Sequence, residues 1–191
     1  RRSSARTVSM QERFLNDGWN AIYISRVNTH SSAQIDSSYH WSIDHDGNRE
    51  IFTNGGELLA VRVNNSDCAF PFSDNLRNIV SYRDNIGKTI SIRTYDCFGR
   101  SMDVLGDPVI GLVHWYSSKI INESTKLIDY GFRSYSTDFC RWQSRDPINE
   151  ADSPNLFCFV NNNALSRFDI LGLKGCDCIE IFTRIWYETD W

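Results

Sequence analysis

Two aspartates near the C-terminal end of the chain have the residue type and spacing for proton-transfer chemistry. Asp146 lies in the block 145–148 (RDPI) and Asp169 in the block 167–173 (RFDILGL), 23 residues further on. A chain that folds back on itself brings the two carboxylates together beside Leu173. Two carboxylates held close do not readily both ionise, so one stays protonated while the other is charged. Such a pair can activate a water against a peptide bond, which predicts a chain that cuts itself near Leu173.

The neighbours of these aspartates support two interpretations. Arg145 is adjacent to Asp146, and a guanidinium in a close ion pair would favour the charged form of that carboxylate. Aspartate also begins turns, because its side chain accepts backbone N–H groups. Asp169 precedes Gly172 by three residues, a spacing typical of a turn closed by glycine. The two aspartates are therefore either a catalytic pair or two turn-forming residues.

Length and composition fit one domain of ordinary size. The chain has 191 residues, 41% of them hydrophobic, and a net charge of −4. This charge gives no reason to expect nucleic acid as a partner, and no apolar run is long enough to predict a membrane span. The chain starts at Arg1 without an initiator Met or an apolar leader segment. We therefore expect no signal peptide in this piece, which resembles the interior of a longer protein.

Short alternating apolar segments separated by Gly, Asn and Asp predict a mainly β, antiparallel fold. The predicted strands cover residues 21–27, 58–63, 78–83 and 89–95. Turns are predicted between them, because Gly, Asn and Asp tolerate the positive φ angles of hairpin connections. These turns are at residues 46–48, 54–56, 64–66 and 84–88. An unbroken apolar run at 156–160 predicts a further strand, either buried on both faces or threaded into an interior.

Cysteines and histidines give no metal or cofactor site. The six cysteines show no disulfide framework and no Cys-x-x-Cys pair, so we predict buried free thiols for the first four. The four histidines are scattered without the spacing of metal ligands. We predict neither a cofactor nor a metal ion. After Leu173, Lys174 and Gly175 are predicted to be a linker, followed by a small, weakly strand-like segment.

An ordered series of blocks resembles the Rhs-repeat-associated core domain and its preceding YD-repeat hairpins. The resemblance covers residues 11–173, with 1–10 as a fragment of the upstream region and 174–191 as the start of a variable C-terminal segment. The blocks are 13–20 (RFLNDGWN), 95–100 (YDCFGR), 130–135 (YGFRSY), 141–147 (RWQSRDP), 155–157 (NLF), 162–163 (NN) and 169–173 (DILGL).

The resemblance implies both a fold and an activity. In such proteins YD hairpins build a β-shell, or cocoon, and the core domain closes one end and turns inward. The core of polymorphic toxins and of the C component of Tc toxins is an intramolecular aspartic protease. Carried over, its residues are Asp146 and Asp169, with cleavage between Leu173 and Lys174. Ile170 stands where the family has Pro, and Asn149 where it has Gly.

Two functions follow from this resemblance. The first is a secreted or cell-surface shell, part of a longer protein, that encloses its own C-terminal effector and releases it by a single self-cleavage. Its partners would be that effector, an immunity protein and secretion machinery. The second is a structural or adhesive YD-repeat surface protein whose protease site is inactive, an alternative favoured by the substitutions at Asn149 and Ile170.

Overall fold

The chain is mainly antiparallel β-sheet, as predicted. The computed structural model describes residues 10–18, 20–28, 31, 33–42, 57–64, 66, 68–106, 111–122, 125–148, 154–173 and 175–177. The strands are β1 (Met10–Asp17), β2 (Asn20–Asn28), β3 (Gln34–Trp41), β4 (Leu58–Val63), β5 (Cys68–Ser73), β6 (Ile79–Arg83), β7 (Thr89–Tyr95), β8 (Ser101–Gly106), β9 (Ile120–Asn122), β10 (Leu127–Asp129), β11 (Ser134–Ser136), β12 (Arg141–Trp142), β13 (Arg167–Asp169) and β14 (Gly175–Asp177).

These strands form three sheets. Strands β1 to β8 follow one another in chain order in an eight-stranded antiparallel meander. Strands β12, β11, β10 and β9 form a smaller four-stranded sheet in that order, and β13 pairs with β14. In this last hairpin Asp169 is opposite Gly175. The loop between these two residues contains the bond predicted to be cut.

One aspartate turn is used three times in succession in the large sheet. Asp74, Asp84 and Asp96 begin the five-residue connections β5–β6, β6–β7 and β7–β8. In each, Oδ1 accepts the backbone N–H groups two and four residues later, at 2.8–3.1 Å. The aspartate side chain accepts backbone N–H groups of the turn, which the hydrogen bonds between paired strands do not reach. This explains how a short Asp-containing stretch can join each pair of strands.

The protein has two hydrophobic cores. The segment from Leu112 to Trp115 packs on the large sheet, where the Tyr82 hydroxyl donates to the His114 carbonyl at 2.8 Å. The second core is built from aromatic rings, and the centroids of Tyr135 and Phe159 are 4.1 Å apart. Its buried members are Tyr116, Ile128, Tyr130, Tyr135, Trp142, Phe159, Val160 and Ala164. This aromatic core supports the loops described below.

The predicted strands at 21–27, 58–63, 78–83 and 89–95 are confirmed, as is the turn at 84–88. The predicted buried strand at 156–160 is wrong. This run makes one isolated bridge, between Arg141 and Cys158, and passes into a 3-10 turn at Val160–Asn162. The Asn155 side chain accepts the N–H of Phe157 at 3.1 Å, and this local turn competes with an extended backbone. The predicted turns at 46–48 and 54–56 lie outside the described residues.

Two further expectations are corrected. Cys68, Cys97, Cys140 and Cys158 are free thiols, as predicted, but none is buried and Cys97 is exposed. Gly175, expected in a linker, begins strand β14. The predicted linker therefore closes a hairpin at its C-terminal end, while Lys174 lies outside the described residues.

Candidate functional site

Three connections meet beside the β13–β14 hairpin. The turn between β10 and β11 carries Arg133, and the chain after β12 carries Asp146. Asp169 ends β13. Main-chain hydrogen bonds hold these pieces together, since the N–H of Phe132 donates to the carbonyl of Leu171 at 3.1 Å. Segments distant in the sequence are thus fixed around one short loop.

Arg133 lies between the two predicted aspartates. Its Nη1 is 2.7 Å from Oδ2 of Asp146, and its Nη2 is 3.7 Å from Oδ2 of Asp169. The three side chains are almost fully buried: Arg133 is 4% exposed, Asp146 8% and Asp169 3%. Both carboxylates are therefore within 4 Å of one guanidinium, out of contact with bulk water.

The same guanidinium contacts the backbone of the loop. Its Nε donates to the carbonyl of Gly172, and its Nη2 donates to the carbonyl of Leu173 at 3.2 Å. The guanidinium carbon lies 4.2 Å from the ring centroid of Trp142, where a cation is attracted to the aromatic face. The Leu173 carbonyl belongs to the bond predicted to be cut. Arg133 thus contacts both carboxylates and the carbonyl of that bond.

The two oxygens of each aspartate have different contacts, one typical of a turn and one near Arg133. Oδ1 of Asp169 accepts the N–H groups of Leu171, Gly172 and Leu173 at 3.0, 2.7 and 3.2 Å. Oδ1 of Asp146 accepts the N–H of Ile148 at 3.0 Å. In each residue one oxygen builds a turn, while the other lies near Arg133. The turn contacts fix the orientation of both carboxylates.

Burial has the largest effect on the ionisation of Asp169. One guanidinium neutralises one of two buried carboxylates, and Arg133 lies closer to Asp146. Burial raises the pKa of Asp169 to about 6, although the hydrogen bonds from Gly172 and Leu173 and the charge of Arg133 act in the opposite direction. Asp169 is therefore mostly protonated in mildly acidic solution, whereas Asp146 forms the close ion pair.

Gly172 offers a first test of the loop geometry. Its φ is +74°, and a Cβ there would lie 3.1 Å from Cβ of Tyr130 and 3.2 Å from N of Arg133. We expect Gly172→Ala to lower the free energy of unfolding by about 2–3 kcal/mol, from backbone strain together with the close contact. Urea unfolding of the uncleaved chain measures this loss.

Gly87 is the matched control, because its φ is +83° and a Cβ there would meet nothing within 4 Å. Gly87→Ala should cost only the strain of the positive φ, about 1 kcal/mol. Equal losses in the two variants would show that the loop does not pack against the Arg133 turn as described.

The structure brings together three of the predicted site residues, but a different arginine contacts them. Asp146, Asp169 and Leu173 meet at Arg133, whereas the side chain of Arg145 is exposed. The ion pair expected from Arg145 is therefore made by Arg133, which sequence reasoning did not assign to the site. Its only signal was the arginine in the block 130–135, which matches a family block.

The described residues contain no group of three or more His, Cys, Asp or Glu side chains that could hold a metal ion. In that same part of the chain, no helix is both long and apolar enough to cross a membrane.

No protein-family model matches the chain. It is 38% identical over 68 residues to "Toxin subunit YenC2" of Yersinia entomophaga, which is 36% of this chain and 7% of that protein. It is 36% identical over 97 residues to "Toxin subunit YenC1" of the same organism, 47% of this chain and 9% of that protein. The chain thus spans less than a tenth of the length of these relatives.

Solved structures share the fold. A crystal structure of TcdB2–TccC3–TEV matches 91% of this chain and 9% of its own, with a TM-score of 0.64 and 18% identity. A crystal structure of TcdB2–TccC3 matches 86% of this chain and 8% of its own, with a TM-score of 0.62 and 19% identity. The common β architecture and the similarity to toxin subunits support the resemblance to Rhs and YD-repeat toxin-complex proteins.

Proposed function

We propose that the chain is the closing region of a β-shell toxin protein that cuts its own backbone after Leu173. The similarity to toxin subunits supports the shell part of this proposal. One observation carries the self-cleavage: Arg133 contacts Asp146, Asp169 and the carbonyl of Leu173. A turn-forming role alone does not require a buried guanidinium shared by two carboxylates and this carbonyl.

The first role of the site is to polarise the carbonyl. The N–H from Arg133 Nη2 to the Leu173 oxygen draws electron density from the carbonyl carbon and stabilises the negative charge that develops on the oxygen. The low exposure of the site strengthens this interaction, because little water competes for the guanidinium. The hydrogen bonds from the loop to Asp169 hold the bond in place before reaction.

The second role is proton transfer. The Asp146 carboxylate accepts a proton from a water whose oxygen attacks the carbonyl carbon of Leu173. Protonated Asp169 supplies a proton that reaches the nitrogen of Lys174 as the C–N bond breaks. The products are a carboxyl group on Leu173 and an amine on Lys174, and one water is consumed. A single turnover suffices, since the substrate is the chain itself.

The biological role follows from the resemblance. An upstream shell would enclose the C-terminal effector, and the cut after Leu173 would separate that effector covalently from its container. The other proposed partners are an immunity protein, which protects the producing cell, and secretion machinery. We propose a secreted or surface location on the same grounds.

A second candidate is a structural or adhesive shell protein with an inactive site. One observation favours it: each aspartate already uses one oxygen in a turn, in the manner of Asp84. Ile170 in the place of the family's Pro points the same way. The two candidates differ in whether the bond after Leu173 is cut.

Self-cleavage should produce two fragments, residues 1–173 and 174–191. Because Asp169 must be protonated and its pKa is raised to about 6, we expect the cleavage rate to fall about tenfold per pH unit above about pH 6. Intact-mass spectrometry of the freshly purified chain, incubated at a series of pH values, measures site and rate together. A chain that stays whole throughout this series would favour the structural candidate.

A further inference from the structure

A small crevice lies beside Asp169, between the large sheet and the β13–β14 hairpin. Residues 168–170 line it, together with residues that include Lys119, Arg77 and Ser117. A lysine and the aspartate that we propose as the proton donor thus face the same space.

The backbone of Lys119 is held firmly. Its N–H donates to the carbonyl of Tyr116 at 3.0 Å, and its carbonyl accepts the N–H of Trp115 at 3.1 Å. Its Nζ lies 5.9 Å from the ring centroid of Tyr130. The Tyr130 hydroxyl donates to Oγ of Ser117 at 2.9 Å. Tyr130 therefore connects the lysine segment to the loop, since its Cβ also abuts Gly172.

Two residues that line the crevice, Lys119 and Arg77, are basic, and one, Asp169, is acidic. Burial lowers the pKa of Lys119 to about 8, while the charge of Asp169 acts in the opposite direction. Lys119 thus remains protonated over the pH range in which Asp169 titrates. The charged and titratable groups around Asp169 and Lys119 are Arg133, Asp146, Arg77, Asp129 and Tyr130.

We propose that Lys119 is a positioning residue of the self-cleavage site, which holds a positive charge in the crevice beside Asp169 and so limits the pH range in which Asp169 carries its proton. This inference rests on the proposed self-cleavage. A neighbouring cation favours the charged form of a carboxyl group. Without that cation, Asp169 keeps its proton to higher pH and remains able to donate it.

The test is the pH profile of self-cleavage in Lys119→Met, which removes the charge and keeps an unbranched side chain. We expect the alkaline midpoint to move upward by about half a unit to one unit. At about pH 7.5 this makes the variant about three- to tenfold faster than the unchanged chain. Lys119→Gln should show the same shift, whereas Lys119→Arg should keep the original midpoint. A loss of folded chain that is the same at every pH lowers all rates equally and leaves the midpoint in place, so it does not imitate this result.

Lys88→Met is the matched control, because Lys88 is exposed in the β6–β7 turn. Its midpoint should equal that of the unchanged chain. If Lys119→Met and Lys119→Gln both keep that midpoint, the role of Lys119 is refuted while self-cleavage stands. If the unchanged chain is not cut after Leu173, the self-cleavage proposal itself fails. If Asp169→Asn cuts normally, Asp169 is not the proton donor, and the role of Lys119 fails with it.

Discussion

The Asp169→Asn chain should stay whole under conditions in which the unchanged chain is cut after Leu173. Asparagine keeps an Oδ1 that can accept the N–H groups of Leu171, Gly172 and Leu173, so the loop retains its shape. It has no carboxyl proton to give to the leaving nitrogen. Loss of a general acid or base slows a reaction by about 10²–10⁴-fold. Intact-mass spectrometry at about pH 6, near the raised pKa of Asp169, measures the loss.

Asp84→Asn is the matched control for this experiment. Asp84 makes the same kind of turn, with Oδ1 accepting the N–H groups of Ile86 and Lys88, but it is only half-buried and far along the chain from the site. Its variant should be cut at the rate of the unchanged chain. Normal cleavage in Asp169→Asn would mean that Asp169 only builds its turn and that another group supplies the proton.

The hairpins of the large sheet could be predicted because their determinants are local. A strand such as β7 is marked by alternating apolar residues, and its turns begin with an aspartate that bonds to residues two and four positions later. All of these groups lie within a few residues of one another. The strand prediction at 156–160 was wrong because a second local signal competed with the first. The apolar composition indicated a strand, while the Asn155 side chain formed a turn.

The candidate site could be predicted only in part. Block order and turn chemistry identified Asp146 and Asp169, and both reach the same guanidinium. Sequence proximity then suggested Arg145, whose side chain is exposed, instead of Arg133. The choice depends on the β10–β11 turn docking against the β13–β14 loop, a long-range contact between residues about forty positions apart. No local pattern encodes which of the arginines faces inward.

The ionisation of the site also depends on long-range structure. An aspartate has ordinary acidity until the fold buries it or places a charge beside it. Here the Asp146–Arg133 distance is 2.7 Å and the Asp169–Arg133 distance is 3.7 Å, and Asp169 is 3% exposed. The raised pKa of Asp169 is therefore mainly a product of burial, which only the folded chain provides. Arg133 should consequently control both stability and cleavage.

Arg133→Met should be the most damaging single substitution in the site. It leaves the carboxylates of Asp146 and Asp169 buried without their counter-ion, and it removes the donors to Gly172 and Leu173. Breaking a buried ion pair from one side lowers the free energy of unfolding by about 3–5 kcal/mol. Urea unfolding at about pH 8, where we expect cleavage to be slow, measures this loss on uncut chain.

Three further variants separate charge from geometry. Arg145→Met removes the exposed neighbouring arginine and should change stability by less than about 0.5 kcal/mol, with normal cleavage. Arg133→Met combined with Asp146→Asn removes one of the uncompensated charges, so it should regain part of the stability but none of the cleavage.

Arg133→Lys keeps a positive charge but lacks the planar fork that reaches two carboxylates and a carbonyl together. It should therefore lose more cleavage than stability; if it cuts at the normal rate, a point charge alone suffices and the fork geometry has no role in the reaction.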